Sequence, residues 1–126
     1  MTPPDALPPG DPSAPVMTVR LEQRDSGVVV LHVAGEIDLV TAPDLEEAIE
    51  RALKERPKIL VVDLSAVDFL ASAGMSVLVA AHNQAGTATD MRFVATGSAT
   101  FRPMELTGLS QALDIYQSLS EALPGV

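Results

Sequence analysis

The chain contains no cysteine and no tryptophan, and its aromatic residues amount to only 3% of 126 positions. Without thiols it can form no disulfide, offer no thiolate ligand to a metal and use no cysteine nucleophile. The scarcity of rings leaves Val, Leu, Ile and Ala to build the core, which suits a compact α/β domain. Cations are few as well: 8 Lys and Arg stand against 17 Asp and Glu, for a formal charge of −9 and a pI near 4.4. A field of that sign repels a phosphate backbone, and no Lys/Arg cluster offers a local exception, so nucleic acid is not expected as a direct partner. Two separated histidines do not make a zinc site. No apolar run reaches the ~20 residues of a membrane helix, and the N-terminus lacks the basic and apolar regions of a signal peptide. The expectation is one soluble, cytoplasmic domain with no metal, cofactor or membrane contact.

What is present begins with proline. Pro3, Pro4, Pro8, Pro9, Pro12 and Pro15 crowd a stretch with few large apolar groups, so residues 1–15 read as a disordered Pro-rich tail and 16–126 as the folded domain. Val16–Gln23 and Val28–Ala34 follow as two strands of a hairpin joined at Arg24–Gly27, and Gly35–Asp38 reads as a turn. Leu45, Ala48, Ile49, Ala52 and Leu53 repeat with helical spacing, with Thr41 as cap, Pro43 in the first turn and Pro57 as stop. Lys58–Leu64 is a continuous β-branched run, a strand buried on both faces, so a strand–helix–strand crossover is implied. A second helix from Ser72 to about Gly86, a strand at Met91–Ala95, a short helix at Phe101–Leu106 stopped by Gly108, and a short strand within Leu113–Tyr116 come next. Ser118–Glu121 has the form of a capping box for a last helix.

From Phe69 to Thr89 the chain carries no Asp, Glu, Lys or Arg, although 20% of all residues are charged. On a helix of 3.6 residues per turn, Ser76 and Asn83 fall within roughly 40° of Ser72, whereas Gly74, Leu78, Ala81 and Ala85 gather opposite and should face the sheet. The outward arc is completed by Ala73, Val79 and Ala80, none of them long or charged. A face made only for water would carry Lys and Glu. Small, uncharged groups allow close approach of another protein at low desolvation cost, or else coverage by other parts of this same chain; periodicity leaves both open. Ser72 likewise reads either as a helix cap or as a hydroxyl that receives a phosphate. A phosphate at a helix N-terminus meets free N–H groups, so it would leave the helix standing and act outward, on whatever the arc touches.

Taken together, Gly35-Glu36-Ile37-Asp38 with Thr41-Ala42, Val62-Asp63-Leu64-Ser65, and Phe69-Leu70-Ala71-Ser72-Ala73-Gly74-Met75 resemble the STAS domain of bacterial anti-sigma factor antagonists, over roughly Val16 to Leu123. The resemblance implies a STAS fold, a mixed β-sheet with an N-terminal hairpin and helices packed mainly on one face. It implies a transcription regulator that works by partner switching: it binds an anti-sigma factor with a histidine-kinase-like ATPase fold, which then frees its sigma factor. That partner is also the serine kinase that phosphorylates the antagonist and turns it off, and a PP2C-type phosphatase reverses the step. Carried over by motif, the phosphorylated serine is Ser72, and Glu36 and Asp38 of the turn join Ala73, Ser76, Val79, Ala80 and Asn83 as partner contacts. Asp38 has an equally good local role, a carboxylate satisfying turn N–H groups. Ala71 and Ala73 stand where many members have Asp and Ser or Thr, leaving Ser72 as the hydroxyl at the helix start.

Two other readings differ in class. One is a non-phosphorylated STAS adaptor, structural or ligand-sensing, within a larger signalling assembly; an uncharged helix face could also support a weak homodimer. The other is an enzyme, for which the residues give little. No Gly-x-Ser-x-Gly elbow surrounds Ser72, no Gly-rich phosphate loop is present, and His32 and His82 have no acidic partner by spacing.

Overall fold

A computed structural model describes residues 16–124; the Pro-rich stretch read as a tail lies outside the described residues. The first strand, β1 (Met17–Arg24), turns through Asp25–Gly27 into β2 (Val28–Ile37). Helix α1 (Ala42–Lys54) crosses to β3 (Ile59–Leu70), and α2 (Ser72–Ala85) crosses to β4 (Asp90–Val94). The short α3 (Phe101–Leu106), α4 (Leu109–Ala112), β5 (Ile115–Tyr116) and α5 (Leu119–Ala122) complete the domain. The five strands form one mixed sheet in chain order, with β1 antiparallel to β2 and every other pair parallel.

The alternation of side chains along β2, β3 and β4 divides the core in two. Leu31, Val33, Leu60, Val62, Leu64 and Phe93 point to the face that α1 and α2 cover, where Leu45, Ile49, Leu78 and Ala81 meet them. Val30, Val61 and Val94 point to the other face, closed by Ala122 of α5. Arg92 ties that helix down by donating to the Ala122 carbonyl at 2.8 Å. Central strands buried on both sides explain why β3 reads as an unbroken apolar run rather than as an alternating one.

Several local expectations hold. The hairpin, the helical stripe Leu45–Ile49–Ala52 and the short helix at Phe101–Leu106 stand where the sequence places them, and Ser118 Oγ accepts from the Glu121 N–H at 3.2 Å as its capping box requires. Two strands, however, run further than expected. Gly35, Glu36 and Ile37 belong to β2 rather than to a turn, and β3 continues past Leu64 to Leu70. Gly35 sits at φ +96 with the Val16 carbonyl so close that a Cβ would collide with it, so the glycine serves a strand crossing and not a loop. β3 is also bulged. His32 pairs with Asp63 but Ala34 with Ala66, and Gly35 with Val67 but Glu36 with Phe69, so β3 supplies an extra residue at each step. Such bulges re-aim a strand near a rim, here the rim from which α2 departs.

Candidate functional site

The ends of β2 and β3 meet at one point. Ile37 pairs with Leu70, and the Ile37 carbonyl accepts from the Ala71 N–H at 2.8 Å, so the turn after β2 and the start of α2 are stitched together. In that turn Asp38 Oδ1 accepts from the N–H groups of Val40 (2.9 Å) and Thr41 (3.0 Å). Thr41 Oγ1 accepts from the Asp38 N–H and donates to the Glu36 carbonyl, both at 2.9 Å. Thr41 therefore caps nothing in α1 with its side chain, contrary to expectation; its hydroxyl is used up in locking the turn. The Asp38 carboxylate fulfils the local role that its residue type allows. Glu36, by contrast, is exposed and lies beside Phe69 across the β2–β3 ladder.

Ser72 does not cap α2. Ala71, in extended geometry at φ −85 and ψ 168, is the N-cap residue, and Ser72 is the first residue with helical hydrogen bonding. The expected bond from its hydroxyl to a later N–H is absent, because a side chain already inside the first turn points outward rather than back over the free N–H groups. Among the described residues the Ser72 hydroxyl has no hydrogen-bond partner, and neither do the backbone N–H groups of Ser72 and Ala73. The side chain is exposed. Three donors or acceptors thus stand together at the positive end of a helix 14 residues long, with no acidic group in its first turn.

Helix α2 buries more than the expected stripe. Leu78, Ala81, Ala85 and Gly74 face inward as read, but Met75 and Val77 are buried too. Gly74 is needed for this approach: a Cβ there would run into Ile37 Cγ2, with Leu70 Cδ1 at 2.8 Å. On the outward side Ser72, Ser76, Ala80 and Asn83 are exposed, and Ala73 and Val79 are half-buried. The described residues leave this arc uncovered. Instead, the α3–α4 corner forms a wall along it, and Ser72, Met75, Ser76, Val79, Ala80, Asn83, Thr107 and Leu109 enclose a groove of about 470 Å³. Thr107 Oγ1, which donates to the Pro103 carbonyl at 2.8 Å, touches Met75 Sδ at 3.6 Å on the inner side of that wall. Thr107 and Leu109 escaped sequence reasoning, since nothing local marks a corner distant in the chain as the neighbour of α2.

His32 has acidic partners that its spacing in the sequence does not reveal: its Nε2 lies 2.7 Å from Glu22 Oε1 and its Nδ1 3.3 Å from Asp63 Oδ2. The three residues sit on adjacent strands of the sheet, brought together by register and not by spacing. The hydrogen bond from His32, helped by Arg24, holds the Glu22 carboxyl below the usual carboxylate range. The cluster faces the α5 side of the sheet, away from α2, and Asp63 Oδ1 also accepts from the Ser65 N–H at 3.0 Å. Its role is to bind β1, β2 and the first bulge of β3 together. Among the described residues no group of three His, Asp or Glu is arranged to hold a metal ion. No helix among them is long and apolar enough to cross a membrane.

A five-stranded mixed sheet with a hairpin edge and two crossover helices on one face defines a class of small mixed α/β domains. The sequence model of the STAS domain family matches residues 20–122, and the chain belongs to that family. It is 46% identical over 101 residues to the anti-sigma-F factor antagonist RsfB of Mycobacterium tuberculosis, covering 80% of this chain and 83% of that protein. It is 31% identical over 100 residues to the anti-sigma-B factor antagonist of Listeria monocytogenes, covering 79% and 88%. The crystal structure of an anti-sigma factor antagonist from Mycobacterium paratuberculosis superposes with a TM-score of 0.80 at 42% identity, over 97% of this chain and 95% of that one.

Proposed function

We propose that this chain is an anti-sigma factor antagonist that binds its anti-sigma factor through the outward arc of α2 and the end of β2, and that phosphorylation of Ser72 ends the binding. The relatives named as antagonists support the first half, being similar over four-fifths of the chain. The observation that carries the second half is the exposed, unbonded Ser72 hydroxyl at the head of a helix face without charge. A phosphate there accepts hydrogen bonds from the free N–H groups of Ser72 and Ala73, so α2 keeps its place. The added charge of about −1.5 to −2 must then be desolvated under any partner that covers the arc, which weakens binding by about 3 kcal/mol, or about 100-fold. Control of affinity follows without refolding.

The kinase in this scheme is the anti-sigma factor itself, with its histidine-kinase-like ATPase fold, and a PP2C-type phosphatase restores the antagonist. Glu36, Ser76, Val79, Ala80 and Asn83 contribute contact surface, Ala73 backs them from the core side, and Asp38 acts through the turn it holds. The test uses the purified anti-sigma-F factor of Mycobacterium tuberculosis with ATP. The unsubstituted protein should bind and gain one phosphoryl group, Ser72→Ala should bind and gain none, and Ser72→Glu should bind about 100-fold more weakly. Binding without any phosphate gain, equal for all three proteins, would replace the switch by the adaptor reading.

A further inference from the structure

Large apolar side chains left in water are informative when they gather. Among the described residues six are prominently exposed, and five of them share one end of the molecule: Leu39 (79%), Val40 (80%), Leu106 (71%), Val16 (52%) and Phe69 (49%). Leu39 and Val40 tip the turn after β2, whose base pairs with the end of β3. Phe69 is three residues before Ser72 and lies across from Glu36, whose N–H is bound by the Val16 carbonyl at 2.8 Å. Leu106 precedes Thr107 on the far wall of the groove. Resting on the antagonist reading, we infer that Leu39, Val40 and Phe69 on one side of Ser72, and Leu106 on the other, form an apolar collar that anchors the anti-sigma factor.

The fold does not need these side chains, since turns and strand ends ordinarily carry polar residues and scattered exposed leucines do not cluster. The occupant follows from charge. Residues 35–45 and 65–80, which carry most of the collar, contain Glu36, Asp38, Asp44 and Asp68 and no Lys or Arg. The matching surface is therefore apolar at its centre with Lys or Arg at its rim, as in a protein partner whose fully buried contacts are ringed by polar ones. A second copy of this chain fits poorly, because a two-fold contact would set one acidic rim against another. The collar also places the two parts of the site in different positions. Glu36, Asp44 and Asp68 are exposed at the edge, where partner cations reach them in water, and Ser72 lies inside, where a phosphate must be stripped of water.

The test compares the unsubstituted protein, Leu39→Ser/Val40→Ser and Leu106→Ser for binding to the purified Mycobacterium tuberculosis anti-sigma-F factor, with thermal melts to confirm that each remains folded. The double substitution should weaken binding about 30-fold and Leu106→Ser about fivefold, with melting unchanged. Association of the unsubstituted protein should slow as salt rises. If the unsubstituted protein does not bind, the antagonist reading falls and takes the collar with it. If it binds and the substituted proteins bind equally well, the collar alone is wrong. If the substitutions abolish a dimer of this chain and leave anti-sigma binding intact, the collar belongs to a second copy and the assignment is overturned.

Discussion

Helices α1 and α2 lie side by side on one face of the same sheet and differ by a single residue in length, yet their outer faces have nothing in common. α1 turns Glu46, Glu47, Glu50, Arg51 and Lys54 to water, with Arg51 and Glu47 one turn apart and paired at 3.8 Å. α2 turns out Ser72, Ser76, Ala80 and Asn83, with no Asp, Glu, Lys or Arg anywhere along it. Packing explains the inner faces of both: each buries small and branched side chains against β2, β3 and β4. Packing explains the outer face of α1 as well, since charged residues are what water favours there. It leaves the outer face of α2 without a cause, and the proposed contact with an anti-sigma factor supplies one.

The sharpest way to break the comparison is to make the face of α2 resemble that of α1. Ser72→Glu should lower anti-sigma binding about 100-fold while circular dichroism and melting stay as they were, because an acidic group at a helix N-terminus suits the dipole. Melting that drops together with binding would mean that the serine serves the fold. Gly74→Ala attacks the inner face instead. Its methyl meets the branched Ile37 and the Leu70 side chain, so chemical denaturation should report a loss of about 2 kcal/mol. Alanine at Ala48's neighbour Glu47, on the water face of α1, should change stability by less than about 0.5 kcal/mol.

Ala80→Glu and Glu47→Lys form a matched pair of smaller effect. The first should reduce binding about tenfold with stability unchanged; the second should alter neither, and calorimetric titration distinguishes them. Smallest is the contribution of the Glu22–His32–Asp63 cluster, on the opposite face of the sheet. Because the folded protein holds the Glu22 carboxyl below its ordinary range, its contribution to stability is in place above the unfolded value and is lost as pH falls through the lowered one. Glu22→Gln should therefore flatten the acid limb of a stability–pH curve and leave anti-sigma binding untouched.

How much of this was readable in the sequence depends on whether the cause was local. The stripe of α1, the hairpin and the box at Ser118 rest on spacing and caps within a few residues, and they stand as read. The continuation of β2 through Gly35 and of β3 through Ser65 and Asp68 was hidden, because small and polar residues imitate a turn until a neighbouring strand pairs with them. The His32 contacts were hidden for the same reason: register is a property of pairs of strands. At the site, the outward arc of α2 was legible from periodicity, whereas the Ser72 cap was misplaced by one residue, with Ala71 holding the position instead. Thr107 and Leu109 come from tertiary packing, while Leu39-Val40 stands in the sequence as two large apolar residues beside a turn, whose exposure only the fold reveals.

The deciding experiment is a titration of the purified anti-sigma-F factor of Mycobacterium tuberculosis with this protein before and after stoichiometric phosphorylation of Ser72, with amide hydrogen exchange of α2 followed in both forms. Affinity should fall about 100-fold while protection of α2 stays the same or rises. Equal affinity in the two forms, or a loss of affinity accompanied by loss of protection along α2, would contradict a switch that acts on the contact and spares the fold.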